Sequence, residues 1–173
     1  MLKGKNILLR PVEIKDVDAL YGWENDAENW LVSNTITPFS RFFLEQYVLG
    51  SQNNIYEDTQ LRLIIENQEG RACGAIDLFD FDAHHRRAAI GILVEADFRG
   101  KGYASEALEI VCDYARNSLN LHQLYCTIDE DNTRSLRLFQ KSGFQITGKR
   151  EDWAWRAGNW VTEHFLQLIL KAD

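Results

Sequence analysis

The stretch Val94-Glu-Ala-Asp-Phe-Arg99-Gly100-Lys101-Gly102-Tyr103-Ala104-Ser105 joins the end of an apolar strand to the start of a long amphipathic helix. The free N–H groups and the dipole of a helix N-terminus make such a junction a natural site for anions. Gly100 and Gly102 lack the Cβ atoms that would hold a phosphate away from the backbone, and Arg99 and Lys101 add positive charge. The stretch therefore predicts a site for a phosphate-bearing cofactor.

A second motif follows after one further strand: Asn132-Thr-Arg-Ser135-Leu-Arg-Leu-Phe139-Gln-Lys141-Ser-Gly143-Phe144. The Arg-x-x-Gly-x-Ala of residues 99–104 and this Asn-x-x-Ser helix with its Lys-x-Gly-Phe ending resemble, in the same order, two motifs of the GNAT acetyltransferase superfamily, which binds acetyl-CoA. The first motif is not a P-loop, because it lacks a Gly-Lys-Ser/Thr ending, and it has no third glycine for a dinucleotide fingerprint. The resemblance covers essentially the whole chain.

The order of predicted elements agrees with that family. Apolar periodicity and turn residues predict a strand, two helices, three strands, a helix, a strand, a helix and two strands. The implied fold class is α/β (α+β): one GNAT domain over residues 1–173, with a mixed sheet of about seven strands splayed at its centre and about four helices. The predicted ranges are 7–10, 15–23, 38 or 40 to 49, 61–66, 72–81, 88–94, 103–117, 124–128, 132–143, 145–155 and 160–170. The apolar face of the second helix is predicted to consist of Phe39, Phe42, Phe43, Tyr47 and Val48.

Composition limits the class of partner. With 173 residues, 45% of them hydrophobic and 12% aromatic, the chain is expected to fold into one globule. A net charge of −7 argues against nucleic acid as a partner and suits a cationic substrate. Neither a membrane span nor a secretory signal is apparent, so we expect a cytoplasmic protein. Cys73, Cys112 and Cys126 are odd in number, lie far apart in the sequence and form no CxxC motif, so they suggest neither a disulfide framework nor a structural zinc site.

The resemblance assigns residues to acetyl-CoA. The backbone of residues 92–94 would pair with the pantetheine arm, and the N–H of Val94 would polarise the acetyl carbonyl. The loop of residues 99–105 would hold the pyrophosphate, and the second motif would touch the arm from the other side. The expected cofactor residues are Ile92, Leu93, Val94, Arg99, Gly100, Lys101, Gly102, Tyr103, Ala104, Ser105, Asn132, Ser135 and Phe139.

Two departures concern the catalytic acid and base. Many relatives have a tyrosine, which donates a proton to the thiolate, where this chain has Phe139, and many have a glutamate where it has Ala89. Ser135 is the nearest match to relatives that lack the tyrosine. Tyr125, Tyr103 and an ordered water remain alternatives, whereas Cys126 is interpreted as a buried, inert thiol.

The acceptor residues are predicted from a narrower resemblance. Asp77 and Asp80, followed by His84-His85-Arg86-Arg87, resemble the bacterial spermidine/spermine acetyltransferases. Strand alternation puts the two aspartates on opposite faces unless a bulge intervenes. The polar segment of residues 24–37 lines the acceptor pocket in the family. It adds Glu24, Glu28 and Trp30 to the expected acceptor residues. Trp23, Trp153, Trp155 and Trp160 suit either cation–π contacts with an alkylammonium chain or a packing or subunit interface.

Several functions remain open at this point. The first is acetyl transfer to a polyamine such as spermidine or spermine. The second is acetylation of a protein N-terminus, since the chain also resembles the ribosomal-protein acetyltransferases, and aminoglycosides form a third acceptor class. A low-turnover module that binds acetyl-CoA or polyamine is the alternative outside enzymes, kept open by Phe139. The family resemblance also implies a homo-oligomer, a dimer or larger.

Overall fold

The computed structural model describes residues 1–33, 36–51 and 54–170. Its strands are β1 (Leu2–Lys3), β2 (Ile7–Pro11), β3 (Leu61–Asn67), β4 (Ala72–Asp82), β5 (Arg87–Val94), β6 (Gln123–Asp129), β7 (Gln145–Arg156) and β8 (Asn159–Ile169). Its α-helices are α1 (Val17–Glu24), α2 (Ala27–Ser33), α3 (Arg41–Gly50), α4 (Ile55–Asp58), α5 (Tyr103–Asn117) and α6 (Thr133–Lys141). Short 3₁₀ turns, Ile14–Asp16 and Ala96–Phe98, lie before α1 and α5.

All eight strands form one sheet in the order β1-β2-β3-β4-β5-β6-β8-β7. Neighbouring strands are antiparallel except β5 and β6, which are parallel and pair only from Arg87↔Gln123 to Ala89↔Tyr125. Beyond Ala89 the two strands separate, which opens the sheet at its centre. The expected splayed mixed sheet is confirmed. The elements beyond the predicted ones are β1, α2 and α4, which are too short to show a clear periodicity.

The two faces of the sheet have separate apolar cores. The first core packs α5 and α6 against residues such as Ile90 and Leu124, and the second packs α1 and α3 against residues such as Ile64. These helices cover both faces on either side of the central opening. The opening between β5 and β6 is therefore bordered by helices that are held in place by the two cores.

The predicted apolar face of α3 is wrong in part. Leu44 and Val48 are the buried residues of this helix, whereas Phe42 is 70% exposed and Phe43 is 52% exposed. Each residue of an α-helix is rotated by about 100° from the one before. With Leu44 and Val48 on the sheet side, Phe42 and Phe43 are turned away from it.

A buried ion pair fixes the start of α1 on the sheet. Nη1 and Nη2 of Arg10, in β2, donate to the two carboxylate oxygens of Asp16 at 2.7 and 2.8 Å. Burial alone would raise the pKa of Asp16, but the hydrogen bonds from Arg10 and from the backbone of Glu13 outweigh it, so this pKa lies below its ordinary value. The position of α1 on the sheet therefore depends on Asp16 being ionised.

Candidate functional site

A cleft of about 940 Å³ occupies the opening between β5 and β6. Its walls are the end of β5, the start of α5, one side of α6, the first turn of α2 and the β7–β8 turn. The lining residues include Glu28, Asn29, Ile92, Leu93, Val94, Arg99, Gly100, Gly102, Tyr103, Ala104, Ser105, Asp129, Asn132, Arg134, Ser135, Arg137, Lys141, Arg156 and Val161. Most of the predicted cofactor residues are thus brought together.

The loop before α5 is open toward the cleft. Gly100 and Gly102 have φ angles of +80° and +85°, and a Cβ added to either would have no protein atom within 4 Å. Gly102 is the N-cap of α5, so the first free N–H groups of that helix point out of this loop. Nε of Arg99 donates to the carbonyl oxygen of Val94 at 2.9 Å, which anchors the guanidinium at the end of β5. This geometry can hold a pyrophosphate.

The helix α6 forms the opposite wall. Its N-cap is Asn132, whose side chain accepts a hydrogen bond from the N–H of Ser135 at 3.1 Å. Arg134, Arg137 and Lys141 also line the cleft. Together with Arg99 on the facing wall, they place four positive charges around this part of the cleft in a chain of net charge −7. The three basic residues were not predicted as binding residues, although their helical spacing was a usable signal.

Three predicted cofactor or catalytic residues lie outside the cleft lining. Phe139 is 4% exposed and packs edge-on against Phe144, with ring centroids 5.1 Å apart. Nζ of Lys101 lies 4.8 Å from the ring centroid of Phe98. Tyr125 stacks on Phe165 in the row where β5 and β6 last pair. Burial, together with the charge of Asp80, raises the pKa of Tyr125.

The thiol of Cys126 faces the apolar core. Burial raises its pKa to about 12, so it stays a neutral thiol near pH 7. Ser135, by contrast, lines the cleft. Ser135 and Tyr103 are therefore the two predicted proton-donor residues that line the cleft together with the cofactor residues.

The two predicted acceptor aspartates have different surroundings. Asp77 receives two hydrogen bonds from Arg62, which also donates to Glu24 at 2.6 Å. A β-bulge follows Phe79, and Asp80 within it has a φ of +48° and an exposed side chain. The bulge that would relax strand alternation is present. Asp77 and Glu24 share one partner within the protein, Arg62, whereas Asp80 is open to solvent.

The remaining acceptor residues lie at the ends of α1 and α2. Glu28 lines the cleft, and Trp30 donates from its indole N–H to the carbonyl oxygen of Glu24. Asn29 donates to the carbonyl oxygen of Trp23 at 2.9 Å, which also fastens α2 to α1. Residues 34 and 35 of the predicted acceptor segment lie outside the described residues.

The cleft contains a buried carboxylate that was not predicted. Asp129, at the end of β6, is 9% exposed and lines the cleft. Nε of Arg156, the last residue of β7, donates to Oδ2 of Asp129 at 2.9 Å. Sequence gave no signal for this pair, because it depends on β7 returning beside the end of β6.

The fold and cleft together define a class: acyltransferases that bind a nucleotide-linked thioester in a splayed mixed sheet. The profile of the family described as "Acetyltransferase (GNAT) domain" matches residues 6–145. The chain therefore belongs to the GNAT acetyltransferase family and is an acetyl-CoA-dependent N-acetyltransferase.

Individual relatives agree with that assignment. The spermidine N(1)-acetyltransferase of Escherichia coli K12 is 28% identical over 152 residues, covering 86% of this chain and 78% of the relative. The spermidine N-acetyltransferase of Vibrio cholerae, crystallised with CoA and spermine, superposes with a TM-score of 0.88 at 20% identity, covering 96% of this chain and 97% of that one. A dodecameric structure of the Vibrio cholerae enzyme superposes with a TM-score of 0.79 at 20% identity, covering 96% and 95%.

Two other features are absent from the described ranges. No helix there is both long and apolar enough to cross a membrane. Among the same residues, no group of three or more His, Cys, Asp or Glu side chains is placed to hold a metal ion.

Proposed function

We propose that this enzyme acetylates a primary amine of a polyamine such as spermidine or spermine. The observation on which the proposal rests is the separation of charge in the cleft. Arg99 and the basic residues of α6 lie on the face of the sheet that carries α5 and α6, while Glu28, Asp129 and Asp131 lie toward α2 and the end of β6, where one cation, Arg156, pairs with Asp129. The first side suits the phosphates of acetyl-CoA and the second suits an ammonium group. Relatives named as spermidine acetyltransferases support this choice of acceptor.

Acetyl-CoA supplies the activated acetyl group as a thioester when it is bound. The loop of Gly100 and Gly102 would bind its pyrophosphate through backbone N–H groups. Arg134, Arg137 and Lys141 would bind its remaining phosphate by charge. The edge of β5 at residues 92–94 is free of β6, so its backbone groups can pair with the pantetheine arm and polarise the acetyl carbonyl.

The protein side of the reaction requires few groups. The neutral amine attacks the acetyl carbonyl carbon, and the carbon–sulfur bond breaks. The attacking nitrogen gives one proton to water as it becomes an amide, and the departing thiolate takes up one proton. The hydroxyl of Ser135, which lines the cleft next to the N-cap of α6, is our proposed donor. Its proton would be replaced from water. Ala89 cannot act as a base, so the ammonium proton of the acceptor would leave through solvent.

The acceptor would lie on the face of the sheet that carries α2. Glu28 lines the cleft with an exposed side chain and would bind an ammonium group next to the reacting amine, whereas the charge of Asp129 is offset by Arg156. Phe79, Ala89 and Tyr125 form one row across β4, β5 and β6, so they share this face. Such a row can contact the alkyl segments of a polyamine, with the exposed Asp80 at its edge.

Acetylation of a protein N-terminus is the second candidate. A primary alkylamine costs roughly 4–5 kcal/mol to deprotonate at pH 7, whereas an α-amine costs about 1 kcal/mol. A site with Ala89 and Phe139 in place of the usual base and acid favours the less basic amine. The acidic side of the cleft favours the polyamine instead.

Two further properties follow from the family. We expect a homo-oligomer, as in the dodecameric Vibrio cholerae enzyme. Because acetyl-CoA is a cytoplasmic metabolite in bacteria, we also expect the enzyme to act in the cytoplasm.

The choice between the two acceptors can be tested by the effect of salt. Rates of thiol release with spermidine and with a peptide bearing one α-amine should be compared from 50 to 500 mM salt. Screening shortens from about 14 Å to about 4 Å over this range, so the KM for spermidine should rise several-fold and that for the peptide should change little. Turnover of the peptide with none of spermidine would overturn the polyamine assignment.

A further inference from the structure

The outer surface of the β7–β8 hairpin exposes three tryptophans. Trp153, Trp155 and Trp160 are 56%, 57% and 58% exposed. β7 is also an edge strand of the sheet, and ten of its twelve residues are exposed. Large exposed apolar side chains grouped in this way form a surface that proteins normally cover. We call these three residues, with the charged residues 149–152, the tryptophan surface.

The tryptophan surface is distinct from the cleft. Trp155 and Trp160 are directly opposite across the hairpin, with ring centroids 5.1 Å apart at an interplanar angle of 64°. Because side chains alternate along a strand, they lie on the face opposite to Ala154 and Val161. Val161 lines the cleft. The two tryptophans therefore point away from the acetyl-CoA site and are not acceptor residues.

We propose that the tryptophan surface is the contact through which two copies of this chain associate about a twofold axis. The area favours a protein partner. The exposed parts of the three rings amount to roughly 400 Å² per copy, about half of what each side of a standard interface buries. The other exposed side chains of β7 can supply much of the rest.

The charges next to the tryptophans favour a second copy as that partner. Residues 149–152 are Lys-Arg-Glu-Asp, so their net charge is zero in a chain whose net charge is −7. Elsewhere two acidic copies repel each other, but here they do not. The pairing of β7 with β8 shifts register between Arg150 and Ala154, and Asp152 has a φ of +49°, so this segment does not form a regular strand edge. Its side chains can still meet across a twofold axis, with Lys149 of each copy opposite Asp152 of the other. An anionic membrane or a nucleic acid would gain nothing from a neutral patch.

The contact would also affect the cleft. The turn of this hairpin forms one cleft wall through Arg156 and Asn159. Association at the tryptophans would hold that wall in place. The tryptophan surface and this cleft wall are opposite faces of the β7–β8 hairpin, so association of two copies would restrict the motion of the wall.

The first test removes the apolar area. The double variant Trp155→Thr/Trp160→Thr keeps residues that favour strands, and Phe42→Gln/Leu49→Gln is the control, because it removes two similarly exposed apolar side chains from α3. Light scattering should show wild type and control at a multiple of 20.0 kDa and the tryptophan variant at a smaller mass. A monomeric wild type, or an unchanged mass in the folded tryptophan variant, would overturn the proposal.

The second test uses charge and does not depend on removing aromatic residues. Lys149→Glu and Asp152→Lys each place like charges opposite one another in the proposed twofold contact. Each variant alone should associate about tenfold more weakly than wild type. An equimolar mixture restores both opposite-charge pairs and should associate as a heteromer. Single variants that associate like wild type, or a mixture that stays dissociated, would contradict this contact.

Discussion

Arg62 in β3 and Asp77 in β4 form a two-bond ion pair, with Nε–Oδ1 and Nη2–Oδ2 distances of 2.8 and 2.9 Å. Their side chains are 18% and 20% exposed. Burial disfavours the charged form of Arg62, but Asp77 and Glu24 outweigh it and hold the pKa of Arg62 above its ordinary value. Asp77 therefore has a structural role as the ion-pair partner of Arg62, whereas Asp80 is exposed and available to a ligand.

We predict different effects for the same substitution at these two positions. Asp77→Asn removes two charge-assisted hydrogen bonds from Arg62 and leaves Glu24 as its ion-pair partner, so the free energy of unfolding should fall by about 2 kcal/mol. Asp80 is exposed, so Asp80→Asn should keep the free energy of unfolding within about 0.5 kcal/mol of wild type. The same variant should raise the KM for spermidine. Urea titration and steady-state kinetics measure the two effects. Equal stability of the two variants would show that the Arg62 pair is not structural.

Stability should depend on the charge of Asp16. Its pKa is lower in the folded protein than its ordinary value, so the ionised form stabilises the fold at pH values above about 4, and this contribution is lost as the pH falls through the folded pKa. The difference in unfolding free energy between wild type and Asp16→Asn should therefore shrink as the pH falls from 5 to 2.5. Asp97→Asn, an exposed change, is the control. A pH-independent difference would contradict the role of the Arg10 pair.

The glycine loop can be tested with a matched pair of alanine variants. Gly102 and Gly70 have φ angles of +85° and +75°, and an added Cβ would touch no protein atom at either position. Both variants should therefore lose a similar stability, about 1 kcal/mol. Only Gly102→Ala places a methyl group where the pyrophosphate is proposed to bind, so only it should weaken CoA binding in calorimetry, by about tenfold or more. Gly102→Val should abolish binding. Equal CoA affinity in Gly102→Ala and Gly70→Ala would remove the loop from the cofactor site.

The parts of this molecule that sequence predicted are those governed by local rules. The strand–glycine–helix junction at Gly102 and the cap at Asn132 depend on neighbouring residues, so their geometry followed from the motifs. Asp129 and Arg156 could not be paired in advance, because their contact depends on how β7 returns along the sheet. The environment of Asp77 was missed for the same reason: its partner Arg62 is on another strand, and register is a tertiary property.

The proton donor can be identified by comparing three variants. Ser135→Ala removes the hydroxyl in the cleft and should lower kcat about 100-fold, the usual scale for loss of a proton donor. Ser135→Thr keeps a hydroxyl and should retain much of the rate. Cys126→Ala should keep kcat, because burial makes that thiol inert. Full activity of Ser135→Ala would shift the role to Tyr125 or to a water molecule.

The most direct test of the whole account is acetyl transfer itself, followed by thiol release and by mass spectrometry of the product. Purified enzyme with acetyl-CoA and spermidine should release one CoA for each monoacetylated spermidine formed, with spermine also accepted. Aminoglycosides and a peptide with a free α-amine serve as competing acceptors under the same conditions. CoA binding without turnover of any acceptor would contradict the enzyme, and acetylation of the peptide with spermidine unchanged would contradict the polyamine assignment.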